Sequence, residues 1–154
     1  MKVKIKKLEQ SARLPKKATD GSAGYDLYAP TDVFVKKDRQ VIKLGFSMQL
    51  PKGYHADIDP RSGFSAKGME GFFADDKEHP CRFDSDVIHG MVDSDYIGEV
   101  GVIINNHSGW EFCISAGTRI AQMTIIKDEE ADFVEVEELE HTERGEGGFG
   151  HSGS

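Results

Sequence analysis

Two aspartates, Asp93 and Asp95, lie two residues apart in Gly90-Met91-Val92-Asp93-Ser94-Asp95-Tyr96-Ile97-Gly98-Glu99-Val100. On an extended strand that spacing turns both carboxylates to one face. A glycine precedes them, an aromatic follows, and the apolar run Val100, Val102, Ile103 and Ile104 continues the chain. The pattern reads as a hairpin followed by a strand, with carboxylates just past the turn. A carboxylate held there can serve as a general base, bind a cation or brace the turn. Pro60-Arg61-Ser62-Gly63 sets an arginine, a hydroxyl and free N–H groups at the start of a short helix, a pattern suited to phosphate or to plain N-capping by Ser62. Gly117-Thr118-Arg119-Ile120-Ala121-Gln122-Met123 places Arg119 and Gln122 in an otherwise buried strand, where each needs a partner. Asp95 is the expected partner of Arg119, and Gln122 can offer an anion a neutral N–H. The end of the chain, Arg144 to Ser154, holds five glycines with Arg144 and Phe149 among them. Such a segment can be a flexible terminus, or a backbone whose N–H groups converge on a phosphate.

The elements that must position these groups are short and β-prone. Val3–Leu8, Val33–Val35, Gln40–Leu44, Phe46–Leu50, His55–Ile58, Val100–Ile104, Ile120–Ile126 and Phe133–Val136 alternate with turn signals. Many short strands and no long helical period predict an all-β sandwich or barrel with one short helix, around Ser62–Lys67. Thr19 to Gly24 is a turn cluster leading into Tyr25-Asp26-Leu27-Tyr28. The stretch from Gly68 to His89 reads as a long mixed loop, of the kind that is functional or mobile. His79, Cys81 and His89 fall within it, but their spacing matches no zinc signature and favours a solvated loop.

Composition narrows the classes. The 154 residues fit one domain, 1–154, with a full-sized core, and no apolar run approaches the length that spans a membrane. Met1 to Ile5 alternates like a strand and lacks the apolar block of a secretory signal. Two cysteines, Cys81 and Cys113, make no disulfide framework, which predicts a reducing, cytoplasmic setting (host cytoplasm for a viral protein). The net charge of −8 is concentrated: residues 128–143 carry nine acids and no Lys or Arg, leaving 18 acids against 19 bases elsewhere. A near-neutral body argues against nucleic acid as a partner, yet allows a small anion held by a few arginines and a divalent cation.

Taken in order, Ala23-Gly24-Tyr25-Asp26-Leu27, Pro60-Arg61-Ser62-Gly63, Gly90 to Val100, Gly117 to Met123 and Arg144 to Gly153 resemble the five motifs of the trimeric dUTPases. The resemblance covers the chain nearly end to end. It implies a jelly-roll-like dUTPase fold, a homotrimer, and a C-terminal arm, 144–154, that closes a neighbouring active site. The implied reaction is hydrolysis of dUTP to dUMP and pyrophosphate with Mg²⁺, limiting uracil incorporation into DNA and supplying dUMP for dTTP synthesis. By similarity, Asp93 activates the water that attacks the α-phosphorus. Tyr96 packs under the deoxyribose, Arg61, Ser62, Gly63 and Gln122 bind phosphate, and Arg144 reaches the γ-phosphate. Phe149 stacks on uracil, with Gly150, His151 and Ser152 beside it. The main chain of Val87, Gly90, Met91 and Val92, with Gly101 opposite, reads the base, and Asp26 meets the metal through water. Other readings on the same fold are a dCTP deaminase or another pyrimidine deoxynucleotide pyrophosphatase; a nucleotide-sensing regulator is a third.

Three departures from the family pattern stand out. Extra residues, about 68–86, lengthen the chain between Gly63 and Asp93 and leave room for an unidentified partner. Val87 stands where some relatives place an asparagine. The copy Asp84-Ser85-Asp86 lacks the following tyrosine and glycines, so it is not read as catalytic. His151 replaces a usual serine in the tail; protonated, it meets a phosphate more strongly. Affinity for dUTP is therefore expected to weaken from about pH 5.5 to pH 8, and titrations of wild type and His151→Ser should show that slope flatten in the variant.

Overall fold

Three four-stranded antiparallel sheets make up the computed structural model, which describes residues 1–147. The first runs β1 (Lys4–Lys7), β4 (Asp38–Gln49), β10 (Glu99–Asn106), β8 (Ser85–Ile88). The second runs β3 (Val33–Val35), β11 (Phe112–Ile114), β6 (Met69–Phe73), β7 (Asp76–Phe83). The third runs β2 (Tyr25–Tyr28), β12 (Arg119–Lys127), β5 (Tyr54–Asp59), β9 (Gly90–Val92). The helix α1 spans Ser62–Lys67, as the sequence predicts. No described helix is long and apolar enough to cross a membrane.

Alternation explains how the sheets share one core. Along β10, Val100, Val102, Ile104 and Asn106 are buried and the residues between them are half-buried. Phe46, Leu44, Leu27, Phe112, Ile114 and Ile120 meet these from the other strands. The two runs expected on either side of Gly45 are one strand, β4. Gly45 takes a left-handed φ of 73° and absorbs an irregularity opposite Glu99 and Gly101, where the register with β10 shifts. Its N–H donates to Glu99 Oε1 (2.9 Å) and its carbonyl accepts from the N–H groups of Leu8 and Glu9.

The expected loop between Gly68 and His89 is instead mostly an ordered hairpin. β6 and β7 join through Ala74-Asp75, and β6 adds to β11 at Cys113. Aromatic packing fixes the hairpin: the Phe83 ring stacks on Phe112 (4.1 Å, 3°), and Phe73 meets Phe83 edge-on at 5.2 Å. A side chain at position 71 would bring its Cβ to 2.6 Å from the Cys113 carbonyl, so only glycine lets the strands close. The opposite correction applies at 133–136. The expected strand there has no partner among the described residues and is irregular, with Phe133 99% exposed.

Gly68 connects helix to hairpin. Its φ is 72°, and an added Cβ would lie 2.5 Å from the Phe83 carbonyl. Left-handed strain alone costs an L-residue about 1–2 kcal/mol. Gly68→Ala is therefore expected to lose at least about 2 kcal/mol of stability in urea unfolding, while Gly53→Ala, which also has a positive φ but open space around it, loses less.

Candidate active site

The first four motif segments form two groups. In the first, β2 lies beside β12 with Asp26 opposite Gln122, and β5 lies on the other side of β12 with Asp59 opposite the same glutamine. Pro60 ends β5, and Arg61 takes an extended φ/ψ of −79°/142° as the N-cap of α1. The Arg61 carbonyl accepts from the N–H groups of Phe64 (2.8 Å) and Ser65 (2.9 Å). The N–H groups of exposed Ser62 and Gly63 are left without intrahelical partners. Ser62 does not cap the helix, since the cap position falls one residue earlier and no side chain bonds there. Gln122 Nε2 donates to the Pro60 carbonyl (3.1 Å), which ties the turn to β12.

Asp26 is the electrostatic centre of this group, only 7% exposed. Arg61 Nε reaches its Oδ1 at 2.9 Å and Arg119 Nη1 its Oδ2 at 3.3 Å. Asp26 thus takes the place expected for Asp95 as partner of Arg119. The reason is register: Arg119 opens β12 opposite Tyr28 on β2, whereas Asp95 lies in an exposed turn beyond β9.

The second group surrounds that turn. Asp93 to Tyr96 is not extended; Tyr96 N–H donates to the Asp93 carbonyl (3.2 Å), so Asp93 and Asp95 do not share a strand face. Tyr96 Oη donates to the Glu99 carbonyl (3.0 Å), and its ring crosses Gly98 so closely that an added Cβ would meet the hydroxyl at 2.5 Å. β8 and β9 do not pair as a hairpin: β8 pairs with β10 and β9 with β5, in separate sheets. Where β9 and β10 part, they leave a cleft of about 210 Å³ lined by Gly90, Met91, Val92, Tyr96, Gly101 and Ile58. β9 is the outer strand of its sheet, so one edge of its backbone is free of sheet partners. Val87 points into the core, leaving only its main chain for recognition.

β5 also separates the two groups. Ala56 faces Val92, next to Asp93, while Arg61 lies five residues further along. At ~3.3 Å per residue the two ends are roughly 16 Å apart. Arg144 is exposed and donates from Nε to the Gly147 carbonyl (2.7 Å). Phe149, Gly150, His151 and Ser152 lie outside the described residues.

The sequence reading missed a charged row on β5. His55, Asp57 and Asp59 alternate on the face opposite buried Ala56 and Ile58, a period-2 signal visible in His-x-Asp-x-Asp. His55 bonds to Asp128, and this, with Asp57 and Asp93 nearby, raises its pKa; Asp59 raises that of His89. His79 bonds instead to Asp76 on β7, so His79, Cys81 and His89 do not converge.

A family model described as dUTPase matches residues 10–72 and 84–153, leaving 73–83, most of the hairpin, between its two segments. The deoxyuridine 5'-triphosphate nucleotidohydrolase of Nautilia profundicola is 41% identical over 99% of both chains. That of Helicobacter pylori is 38% identical over 99% of this chain and 97% of its own. Among solved structures, a mutant dUTPase of Staphylococcus bacteriophage 80alpha with dUpNHpp superposes with a TM-score of 0.78 at 26% identity, covering 99% of both chains.

Removing the carboxylate that two guanidinium groups share leaves both without their partner. Asp26→Asn is expected to cost on the order of 2 kcal/mol in chemical denaturation, less than the ~3–5 kcal/mol of a fully buried pair, because both arginines are partly exposed.

Proposed function

This chain belongs to the dUTPase family and is a dUTP diphosphatase, and from that premise we propose how its residues divide the reaction. Asp93 orients a water and takes its proton as the water oxygen bonds to the α-phosphorus. The bond from that phosphorus to the bridging oxygen breaks, giving dUMP and pyrophosphate. The cleft where β9 and β10 part takes the nucleoside. Free backbone groups of Gly90 to Val92 read the uracil edge, with Gly101 opposite. Tyr96, held by Glu99 and crossing Gly98, lies under the deoxyribose and leaves no room for a 2′-hydroxyl. Ser62, Gly63, Arg61 and Gln122 receive the phosphates, and Arg144 and the arm 144–154, with Phe149, Gly150, His151 and Ser152, close over the bound nucleotide.

Mg²⁺ fits this arrangement as a cation carried by the triphosphate. The phosphate group of residues offers one buried carboxylate, Asp26, rather than a cage, which suits an ion that keeps several waters. Each Asp26 oxygen already accepts from an arginine and retains a further lone pair for a metal-bound water. Bound there, the ion would neutralise charge on the phosphates. The protein's own part is to hold Arg61 and Arg119 rigid beside that position.

The observation that carries the assembly is the separation along β5. Asp93 and Arg61 of one chain stand roughly 16 Å apart along β5, a separation that favours assigning them to two different sites over neighbouring phosphates of one nucleotide. The nucleoside half of one copy then meets the phosphate half of another, as in a homotrimer with three shared sites. The exposed apolar residues Phe133, Val134, Val136 and Leu139, interspersed with acids, supply an apolar segment for a neighbouring copy. The product would supply dUMP for dTTP synthesis and keep uracil out of DNA.

Pyrophosphate release should strongly favour dUTP over dCTP, dTTP and UTP, and Asp93→Asn should lower turnover about 10²–10⁴-fold. Equal turnover of dCTP would overturn the base assignment. Light scattering should give three times the 17.0 kDa chain mass. Mixing inactive Asp93→Asn and Arg61→Ala chains should regain part of the activity, since some sites then receive an intact Asp93 and an intact Arg61 from different copies; no recovery after subunit exchange would place both on one chain.

A further inference from the structure

Along the outer face of β5, three carboxylates and two imidazoles meet with no lysine or arginine paired to any of them among the described residues. One ligand atom from each of Asp57, Asp59 and His89 lies within 4.8 Å of the others. Asp57 Oδ1 is buried and has no hydrogen-bond partner. Two imidazole nitrogens face that oxygen just beyond bonding distance: His89 Nε2 at 3.5 Å and His55 Nε2 at 3.6 Å. The far nitrogen of each ring is already held by a second carboxylate, His89 Nδ1 by Asp59 (2.9 Å) and His55 Nδ1 by Asp128.

These distances have a chemical reading. A buried carboxylate oxygen without a donor is costly unless a cation meets it. Ligands bound tetrahedrally at about 2.1 Å stand about 3.4 Å from one another, close to the 3.5 Å between Asp57 Oδ1 and His89 Nε2. Imidazoles oriented through the opposite nitrogen by carboxylates are the usual support of metal-ligating histidines. Histidine with carboxylate selects a transition divalent ion such as Zn²⁺ or Co²⁺ over Mg²⁺. β5 lies between β12 and β9, so the donors stand on a rigid element.

We propose that Asp57 and His89 bind a divalent transition-metal ion, with water completing its coordination and Asp59 holding the far nitrogen of the His89 ring, at a site separate from the Mg²⁺ that accompanies the nucleotide. The ion would fasten β5 to the His89 link between β8 and β9, the segment that sets the nucleoside cleft.

The test uses the full chain, stripped of metal, with Co²⁺ or Zn²⁺ alone and no nucleotide, so it is independent of turnover. Saturable binding of one Co²⁺ per chain, with visible ligand-field absorbance and a rise in melting temperature, is expected. Asp57→Asn and His89→Gln should each weaken binding at least tenfold; His89 is exposed, so its replacement leaves folding intact. His79→Gln, at the His–Asp pair on the distant hairpin, should leave binding unchanged. Equimolar Mg²⁺ should fail to displace Co²⁺. Absence of saturable binding, binding that survives Asp57→Asn and His89→Gln, loss of binding in His79→Gln, or displacement by equimolar Mg²⁺ would each overturn the assignment.

Discussion

Between Ile88 and Gly90 the chain leaves one sheet and joins another, and the cleft proposed for the nucleoside exists because of that transfer. β8 is bonded to β10, while β9, one residue later, is bonded to β5. Had β9 stayed beside β10, its backbone groups would have been consumed by an ordinary ladder. Instead they border an opening that Tyr96 and Gly101 help to line. Two close approaches hold its floor: the Tyr96 ring across Gly98, and Gly101 against Val41, where an added Cβ would come within 2.6 Å.

A single buried anion organises the group of residues proposed to receive the phosphates. Asp26 draws Arg61 from the end of β5 and Arg119 from the start of β12 onto one carboxylate, while Gln122 anchors Pro60 between them. Taking a carboxylate out of water is expensive unless it is paired, so each of the three charges makes the others tolerable. The result is a turn at Arg61-Ser62-Gly63 whose outward N–H groups are fixed before any phosphate arrives. Pre-positioned donors of this kind need little reorganisation when a charge develops near them.

The hairpin of β6 and β7 extends the second sheet without disturbing either half of the site. Its inner residues, Met69, Phe72 and Phe83, are buried, and Phe83 stacks directly on Phe112 of β11. Pro80, within the outer strand β7, lacks an N–H and so blunts an edge that could otherwise recruit another strand. The segment therefore adds core as well as surface, which a solvated loop would not do.

Much of the architecture was legible in the residues alone. Period-2 patterns located β3, β5, β10 and β12, the turn residues located α1, and five ordered motifs identified the family, because these signals are local and depend on side-chain type and spacing. The family resemblance also put forward Asp26, Arg61, Asp93, Tyr96 and Gln122 as candidate site residues. The sequence could not say that Arg119 answers Asp26 rather than Asp95, that Gly45 joins two runs into one strand, or that β8 and β9 separate. Each of those outcomes depends on which distant strand lies alongside, and pairing register is a long-range property. The same holds for the His55, Asp57 and His89 cluster. His-x-Asp-x-Asp announces a polar strand face, but only the return of the chain at His89 brings the second imidazole to a buried carboxylate oxygen that lacks a donor.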